Sequence, residues 1–395
     1  MKTGTADYFE RIIESLACSR HISRDCVSII IDESRIDARF LNSDYFGFPV
    51  YSYRMIGDVM RPNDTRIYFL ANNEFHSYCY ESLSRTQKAG GSKVISVIHE
   101  PSCFMLFNNI CCNRRNFFSK ANLVDFVGQQ FAEHAESIVQ ARHNDELPFE
   151  VEFVIHGQDL ALRKSDEVWT HSEFSKLKLK LESNDTSNVR FVVSQHPKAR
   201  INSQLSSSLP LTLLKAPGVK RLGVFGWVSK AKRVESIIRA FAAALQTVSH
   251  QERNSVELFV VGALPDTRDY DPIGLASSLG ALDRVKFLDY VPLTHFDELI
   301  STCDLIFNLR FPSCGESSGT LERAVAVGVP IITSEYQAFA EAPTSAFVST
   351  LWPREQTQLF KLLRDWLHGV TVGPPSSLSS CYPEISDLIA NQMEK

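Results

Sequence analysis

Between residues 221 and 333 the chain alternates short, unbroken apolar runs with stretches whose apolar residues recur at helical spacing. That alternation leaves few folds open. Arg221-Leu222-Gly223-Val224-Phe225-Gly226 and Val256-Glu257-Leu258-Phe259-Val260-Val261-Gly262 read as buried strands, each stopped by glycine. Between them Val234, Ile237, Ile238, Phe241 and Leu245 fall at i, i+3, i+4, i+7 and i+11, one stripe of an amphipathic helix. The pattern continues with helices over 273–279, 295–302 and 320–327 and strands over 284–288, 304–309 and 329–333. Strands apolar on both faces, each followed by a helix, require a parallel sheet covered on both sides.

The first half repeats the theme with longer connections. Strands are expected at 27–31, 66–70, 94–98, 166–170 and 190–193, with a long, mainly helical stretch over 104–159. Residues 201–220, with Ser203, Ser206, Ser207, Ser208, Pro210 and Pro217, read as a linker. At about 150 residues per domain, 395 residues allow two or three domains. The pattern reduces this to an N-terminal domain over 1–200, the linker, and a second domain over 221–370. A tail over 371–395 ends in a helix expected to pack back towards the first domain. The fold class expected is α/β: two doubly wound, parallel-sheet, Rossmann-like domains facing across a cleft, with ligands outside the carboxyl ends of the strands.

Composition narrows the function classes. Apolar residues make up 44% and charged residues 22%, which excludes a disordered chain. Lys and Arg total 41 against 46 Asp and Glu, with no run of like charge, so no nucleic-acid partner is expected. The nine cysteines include no CxxC pair and read as thiols of a reducing compartment. No apolar run reaches the roughly 18 residues of a membrane span. The expected location is the cytoplasm, with at most peripheral contact with the inner membrane. Residues 104–118, aromatic with the basic pair Arg114-Arg115, are either the segment making that contact or a helix packed on its own domain.

Chemistry concentrates in Asn308-Leu309-Arg310-Phe311-Pro312-Ser313-Cys314-Gly315-Glu316-Ser317-Ser318-Gly319-Thr320-Leu321-Glu322-Arg323-Ala324. A strand ends, a tight loop follows, and a helix begins near Ser317. Backbone N–H groups at a helix start suit a phosphate. Arg310 adds a fixed positive charge, and Glu316 can accept sugar hydroxyls. The plainer reading is a helix capped by Ser317 with Glu316 solvated. Lys230, Lys232 and Arg233 follow the strand that stops at Gly226, again at a carboxyl end, where a lysine can neutralise a diphosphate without a metal. Asp269-Tyr270-Asp271, the one Asp-x-Asp, reads as a solvated turn, and no His/Cys set has zinc spacing. Neither metal nor other cofactor is expected.

Together these stretches resemble retaining glycosyltransferases of the GT-B fold, glycosyltransferase family 4. Gly226-Trp227-Val228-Ser229-Lys230-Ala231-Lys232-Arg233 is similar to that family's Gly-Arg-x-x-x-x-Lys-Gly, with Lys232 at the diphosphate lysine and Trp227 in place of the arginine. Gly315-Glu316-Ser317-Ser318 and Gly328-Val329-Pro330 resemble a bacterial mannosyl- or rhamnosyltransferase-like sub-branch. There Glu316 matches the first glutamate of the Glu-x7-Glu motif, and the slot of the second, which usually holds the ribose, counted back from Gly328 falls on Arg323, beside Glu322. In the first half, Thr3-Gly4-Thr5-Ala6-Asp7-Tyr8 looks like the family's opening loop. Asn72-Asn73-Glu74-Phe75-His76-Ser77-Tyr78, Val97-Ile98-His99-Glu100-Pro101, His171-Ser172-Glu173-Phe174 and Gln195-His196-Pro197 match later motifs.

The resemblance implies transfer of a hexose or deoxyhexose, mannose-like, from a nucleotide-sugar donor of the GDP-mannose kind. The implied acceptor is a saccharide or lipid-linked saccharide in cell-surface polysaccharide synthesis such as that of O-antigen. Lys232, Arg310, Ser317, Ser318, Gly319 and Thr320 would hold the diphosphate, and Gly226, Glu322 and Arg323 the nucleoside. His99 and Glu316 would contact the donor sugar as catalytic residues. Gly4, Asp7, Asn72, His76, Glu100 and His171 would line the acceptor or donor-sugar side. Configuration would be retained by front-face attack, the leaving phosphate taking the proton. Trp227 and Arg323 keep a catalytically dead binding or scaffold subunit open, and an epimerase on the same fold is the other alternative. In the family a first strand precedes the opening loop. Here only Met1-Lys2 do, so the chain is expected to be one strand short in its first sheet.

Overall fold

The computed structural model describes residues 4–20, 22–35, 43–87, 91–112, 120–183, 186, 188–198, 209–264, 270–376 and 382–393. The chain divides into two compact units. The first takes residues 1–197, 314–317 and 380–395, and the second 198–313 and 318–379.

The second unit contains β8 (Lys220–Phe225), β9 (Val256–Val261), β10 (Val285–Leu288), β11 (Leu305–Asn308), β12 (Ile331–Ser334) and β13 (Ala346–Val348). They form one sheet in the order β10-β9-β8-β11-β12-β13, every pair parallel. Counted within the unit this is 3-2-1-4-5-6, the doubly wound order whose switch point lies between β8 and β11. Its helices are α9 (Val234–Leu245), α10 (His250–Asn254), α11 (Pro272–Ser278), α12 (Leu293–Thr302), α13 (Gly319–Val327) and α14 (Arg354–Leu367). The α9 stripe is fully buried, and with Leu222 and Val224 of β8 and Leu359 and Leu363 of α14 it forms one core. Each large apolar side chain buried there contributes about 1.5–3 kcal/mol. The opposite face of the sheet, Phe225, Phe259 and Ile306, is covered by Leu299 and Ile300 of α12 and Leu321 and Ala324 of α13.

The first unit has a four-stranded parallel sheet, β4 (Thr65–Leu70), β5 (Lys93–Ile98), β6 (Glu167–Thr170) and β7 (Arg190–Val193), in that order. A separate three-stranded sheet has the order β1 (Ile29–Ile31), β3 (Phe48–Ser52), β2 (Asp44–Tyr45). Its helices are α1 (Gly4–Cys18), α2 (Ile56–Val59), α3 (Ser77–Arg85), α4 (Phe104–Cys112), α5 (Lys120–Phe131), α6 (Ala135–His143), α7 (Asp159–Lys164), α8 (Glu173–Glu182) and, from the far end of the chain, α15 (Ile385–Met393). Tyr8, Ile12, Ile13 and Leu16 of α1 bury one face of this sheet together with Ile385 and Ile389 of α15. Helices α3 to α8 supply the core on the other face.

The structure departs from the sequence reading in four places. Residues 4–8, read as part of an opening loop, are the first turn of α1. The stretch 104–159 is broken into α4, α5, α6 and short 3-10 turns. The hairpin β2–β3 was not anticipated, because Pro49 masks an alternation in which Phe48, Val50 and Ser52 point inward. The helix of the Gly-Glu-Ser-Ser loop starts at Gly319, and its cap is Ser318 rather than Ser317. Residues 113–119, 201–208 and Asp269, which carried the basic aromatic segment, the serine-rich half of the linker and part of the Asp-x-Asp, lie outside the described residues. Among the described residues no helix is long and apolar enough to cross a membrane.

Candidate active site

In the second unit the expected phosphate-binding residues gather at the sheet's switch point. Strand β8 ends at Phe225, and Gly226 follows with φ of +84°, a conformation that side chains disfavour. A Cβ there would lie 2.6 Å from Lys232 Nζ and 3.4 Å from Thr320 Oγ1, so Gly226, Lys232 and Thr320 converge on one spot. Lys232 is buried and its ammonium donates to the Phe225 carbonyl. On the neighbouring strand β11, Asn308 accepts the Ser318 hydroxyl at 3.2 Å, which fixes the start of α13. Ser318 Oγ in turn accepts the Leu321 N–H at 3.3 Å. Gly319 has open space where a Cβ would stand. Arg310 follows β11, its N–H donating to Ser334 Oγ at 2.9 Å and its guanidinium lying 5.5 Å from the centre of the Phe339 ring. The result is a glycine-floored, lysine-bearing helix start, the arrangement that accommodates a phosphate group.

Of the residues assigned to the nucleoside, Arg323 has another engagement. Arg323 is buried, and its guanidinium meets both Asp297 oxygens of α12 at 2.5 Å. Glu322 sits in the first turn of α13, its N–H donating to the Ser318 carbonyl at 3.2 Å. Trp227 is exposed.

The first unit gathers a second set of residues. His99 follows β5, His171 follows β6 and His196 stands three residues beyond β7, so three adjacent parallel strands deliver imidazoles to one edge of the sheet. Tyr8 of α1 stands among them, its ring centre 4.3 Å from that of His99, 5.4 Å from His171 and 4.7 Å from His196. His171 Nδ1 donates to the Ser194 carbonyl at 3.1 Å, and its Nε2 accepts the Tyr8 hydroxyl at 3.0 Å. Burial pushes His171 down to about 4 and holds His99 and His196 well below the ordinary histidine range, so all three are neutral at pH 7.

The segment 314–317 belongs to this unit. The Ser317 N–H donates to the His99 carbonyl at 3.3 Å, and Ser317 Oγ lies 2.8 Å from His196 Nε2. Ser317 therefore spends its N–H in the loop and not at the helix start. Gly315 is held at φ of +96° and accepts the Ser175 hydroxyl at 2.7 Å. Glu316 receives the Cys314 N–H at 3.0 Å. The buried Cys314 thiol lies 3.6 Å from Glu316 Oε2 and 3.8 Å from Glu100 Oε2, placing two carboxylates beside one sulfur.

Others among the expected residues hold the scaffold. Glu100 also accepts the Asn72 N–H at 2.8 Å, and Asn72 Oδ1 caps α4 by accepting the Leu106 N–H at 2.9 Å. His76 uses one ring nitrogen on the Phe69 carbonyl at 2.8 Å and the other on Thr5 Oγ1 at 3.1 Å. Asp7 pairs with Arg11 one turn along α1, the helix that Gly4 begins. His196, Tyr8 and Cys314 stand in quoted motifs but were given no role. A signal for His196 was present, since a histidine follows each of three consecutive strands.

Residues 213–369 match the family model for glycosyl transferases group 1. No curated protein sequence matches the chain. Among solved structures, the chain is similar to Anabaena HepE in complex with UDP and glucose, with TM-score 0.56 and 15% identity over 98% of this chain and 95% of that one. It is also similar to sucrose-phosphate synthase from Thermosynechococcus elongatus, with TM-score 0.53 and 14% identity over 93% and 85%. WaaG, a glycosyltransferase involved in lipopolysaccharide biosynthesis, gives TM-score 0.50 and 16% identity over 93% and 88%. At these identities the likeness is one of fold, two Rossmann-like domains of the GT-B type. The matched domain and the fold together define a glycosyltransferase. The matched segment begins just before β8 and ends just after α14, so it spans the whole sheet of the second unit.

Proposed function

We propose that the chain is a retaining hexosyl- or deoxyhexosyltransferase that uses a nucleotide-sugar donor, mannose-like by motif, and a saccharide or lipid-linked acceptor reached from the cytoplasmic side of a membrane. The observation that carries this reading is the convergence of Gly226, Lys232 and Thr320 at the switch point between β8 and β11. A diphosphate there would meet the Lys232 ammonium, the Arg310 guanidinium and the first N–H groups of α13. Charge developing on the departing phosphate is stabilised by these fixed groups, a contribution of about 3–4 kcal/mol for a single well-placed donor. Neutralisation falls to side chains, so the diphosphate needs no metal in this reading. His99 and Glu316 are assigned to the donor sugar, His99 as a neutral hydrogen-bonding group and Glu316 as an acceptor for sugar hydroxyls. The leaving phosphate takes the acceptor's proton in front-face attack.

The test is calorimetric titration with UDP, GDP and dTDP, followed by assays of transfer and of donor hydrolysis. One nucleoside diphosphate should bind in preference, and Lys232→Ala should weaken it while leaving the fold intact. Glu316→Ala should lower turnover more than nucleotide affinity. If no nucleotide binds and neither change alters transfer, the active-site assignment fails and a binding subunit without catalysis is the better description.

A further inference from the structure

We propose that His99, His171 and His196 form a transition-metal site in the first unit, one suited to zinc or a similar borderline divalent ion. The site is a consequence of sheet topology. Three adjacent parallel strands end at one edge, and each is followed by a histidine. One nitrogen from each imidazole lies within 4.8 Å of the other two. Three points so spaced share a centre at most about 2.8 Å from each, against a zinc–nitrogen bond of about 2.0–2.1 Å. Small inward ring rotations close that gap.

The lone pairs are available. Among the described residues, His99 Nε2 and His196 Nδ1 are buried and have no hydrogen-bond partner. His171 has its proton on Nδ1, because the Ser194 carbonyl it faces can only accept, so its Nε2 carries a lone pair. That nitrogen meets the Tyr8 hydroxyl at 3.0 Å, a group placed to become a fourth ligand or to hold a bound water. Outer support of the kind that orients metal-binding imidazoles is present too. His171 Nδ1 is fixed by the Ser194 carbonyl, and His196 Nε2 by Ser317 Oγ. Neutral imidazole is the form that binds metal. An all-imidazole set suits zinc, copper or nickel and not magnesium or calcium. The three ligands are 72 and 25 residues apart, so no short-spacing motif could reveal them.

The experiment is titration of the metal-free full chain with CoCl2, ZnCl2 and MgCl2, read by calorimetry and visible absorption. One cobalt ion per chain should bind with the intense ligand-field bands of a tetrahedral site. Zinc should displace it, and magnesium should not. His171→Asn keeps a donor for the Ser194 carbonyl, and His196→Gln keeps an amide towards Ser317, yet each deletes one ligand. Each should weaken cobalt binding by more than about 100-fold, beyond the usual cost of losing an outer-shell partner. Circular dichroism checks that both variants fold. Zinc-edge X-ray absorption on the wild-type complex reads the ligands without any variant and should show nitrogen and oxygen only. No stoichiometric binding, binding unchanged in both variants, or sulfur ligation such as the exposed Cys18 and Cys26 would supply, overturns the proposal.

Discussion

Gly315 shows how one residue holds the loop that carries Glu316. Its φ is +96°, and an added Cβ would stand 2.9 Å from both Phe174 Cδ1 and Ser175 Oγ. Gly315→Ala should therefore destabilise the first unit by about 1–3 kcal/mol through backbone strain and steric displacement. Urea unfolding should detect the loss, and an unchanged midpoint would count against the strained geometry. At Lys232 the expected effect is catalytic. Lys232→Ala should lower turnover by about 100- to 1000-fold, the scale of losing one preorganised electrostatic donor. Steady-state kinetics on a variant of unchanged stability decides it. His99 links the two proposals. If it serves the donor sugar and also binds zinc, micromolar zinc should inhibit transfer, and a chelator should restore it. Inhibition that survives in His171→Asn would place the inhibitory zinc elsewhere. At this scale the sequence grouped Lys232 with Gly226, and the structure brings the Lys232 ammonium beside that glycine. The sequence was not legible for the histidine cluster, because proximity there depends on strand order and not on spacing. Arg323 is the reverse case. It occupies a motif slot, yet its guanidinium is engaged by Asp297, a partner that only helix packing supplies.

Among the elements, β6 has the most exacting environment. Glu167 is buried in it and meets Lys93 Nζ of β5 at 2.6 Å, Arg190 Nη2 of β7 at 2.8 Å and Trp169 Nε1 at 2.9 Å. Burial opposes its charge, but the hydrogen bonds from Arg190, Lys93 and Trp169 win and hold the carboxyl down at about 2. A carboxyl whose folded value lies below its unfolded value stabilises above the unfolded value. That stability is lost as pH falls through the folded one. The first unit should thus lose stability between about pH 4.5 and pH 2. Glu167→Gln should remove about 2 kcal/mol at pH 7, the worth of a charged hydrogen-bond set, and flatten that acid limb. Denaturant melts at a series of pH values test both. The strands themselves were largely readable, since buried parallel strands are unbroken apolar runs. Strand β3 was not, because a proline interrupts the pattern of a short strand.

At the scale of the molecule, α15 belongs to the unit that begins the chain. Ile385 and Ile389 are buried against the same core as Tyr8, Ile12 and Ile13, and Gln392 accepts Lys93 Nζ at 2.6 Å. Ile389→Ala should cost about 2–5 kcal/mol, the range for opening a cavity at a buried isoleucine. Hydrogen exchange should show the loss in α1 and β5 and leave β8 and β9 protected. Equal loosening of both units would contradict the assignment of α15. Two sheets could be anticipated from the alternation of strands and helices. The membership of residues 314–317 could not, because a four-residue excursion into another core has no signature in hydrophobic period.

The membership of α15 in the first unit bears on the order in which a ribosome can finish the molecule. The second unit has all its residues once 379 has been made, whereas the first still lacks α15. The half that is translated first is therefore completed after the other, and its apolar sheet face waits for α15. Nascent chains arrested with residues 1–379 outside the exit tunnel should resist protease over β8–β13 and be cut readily in α1.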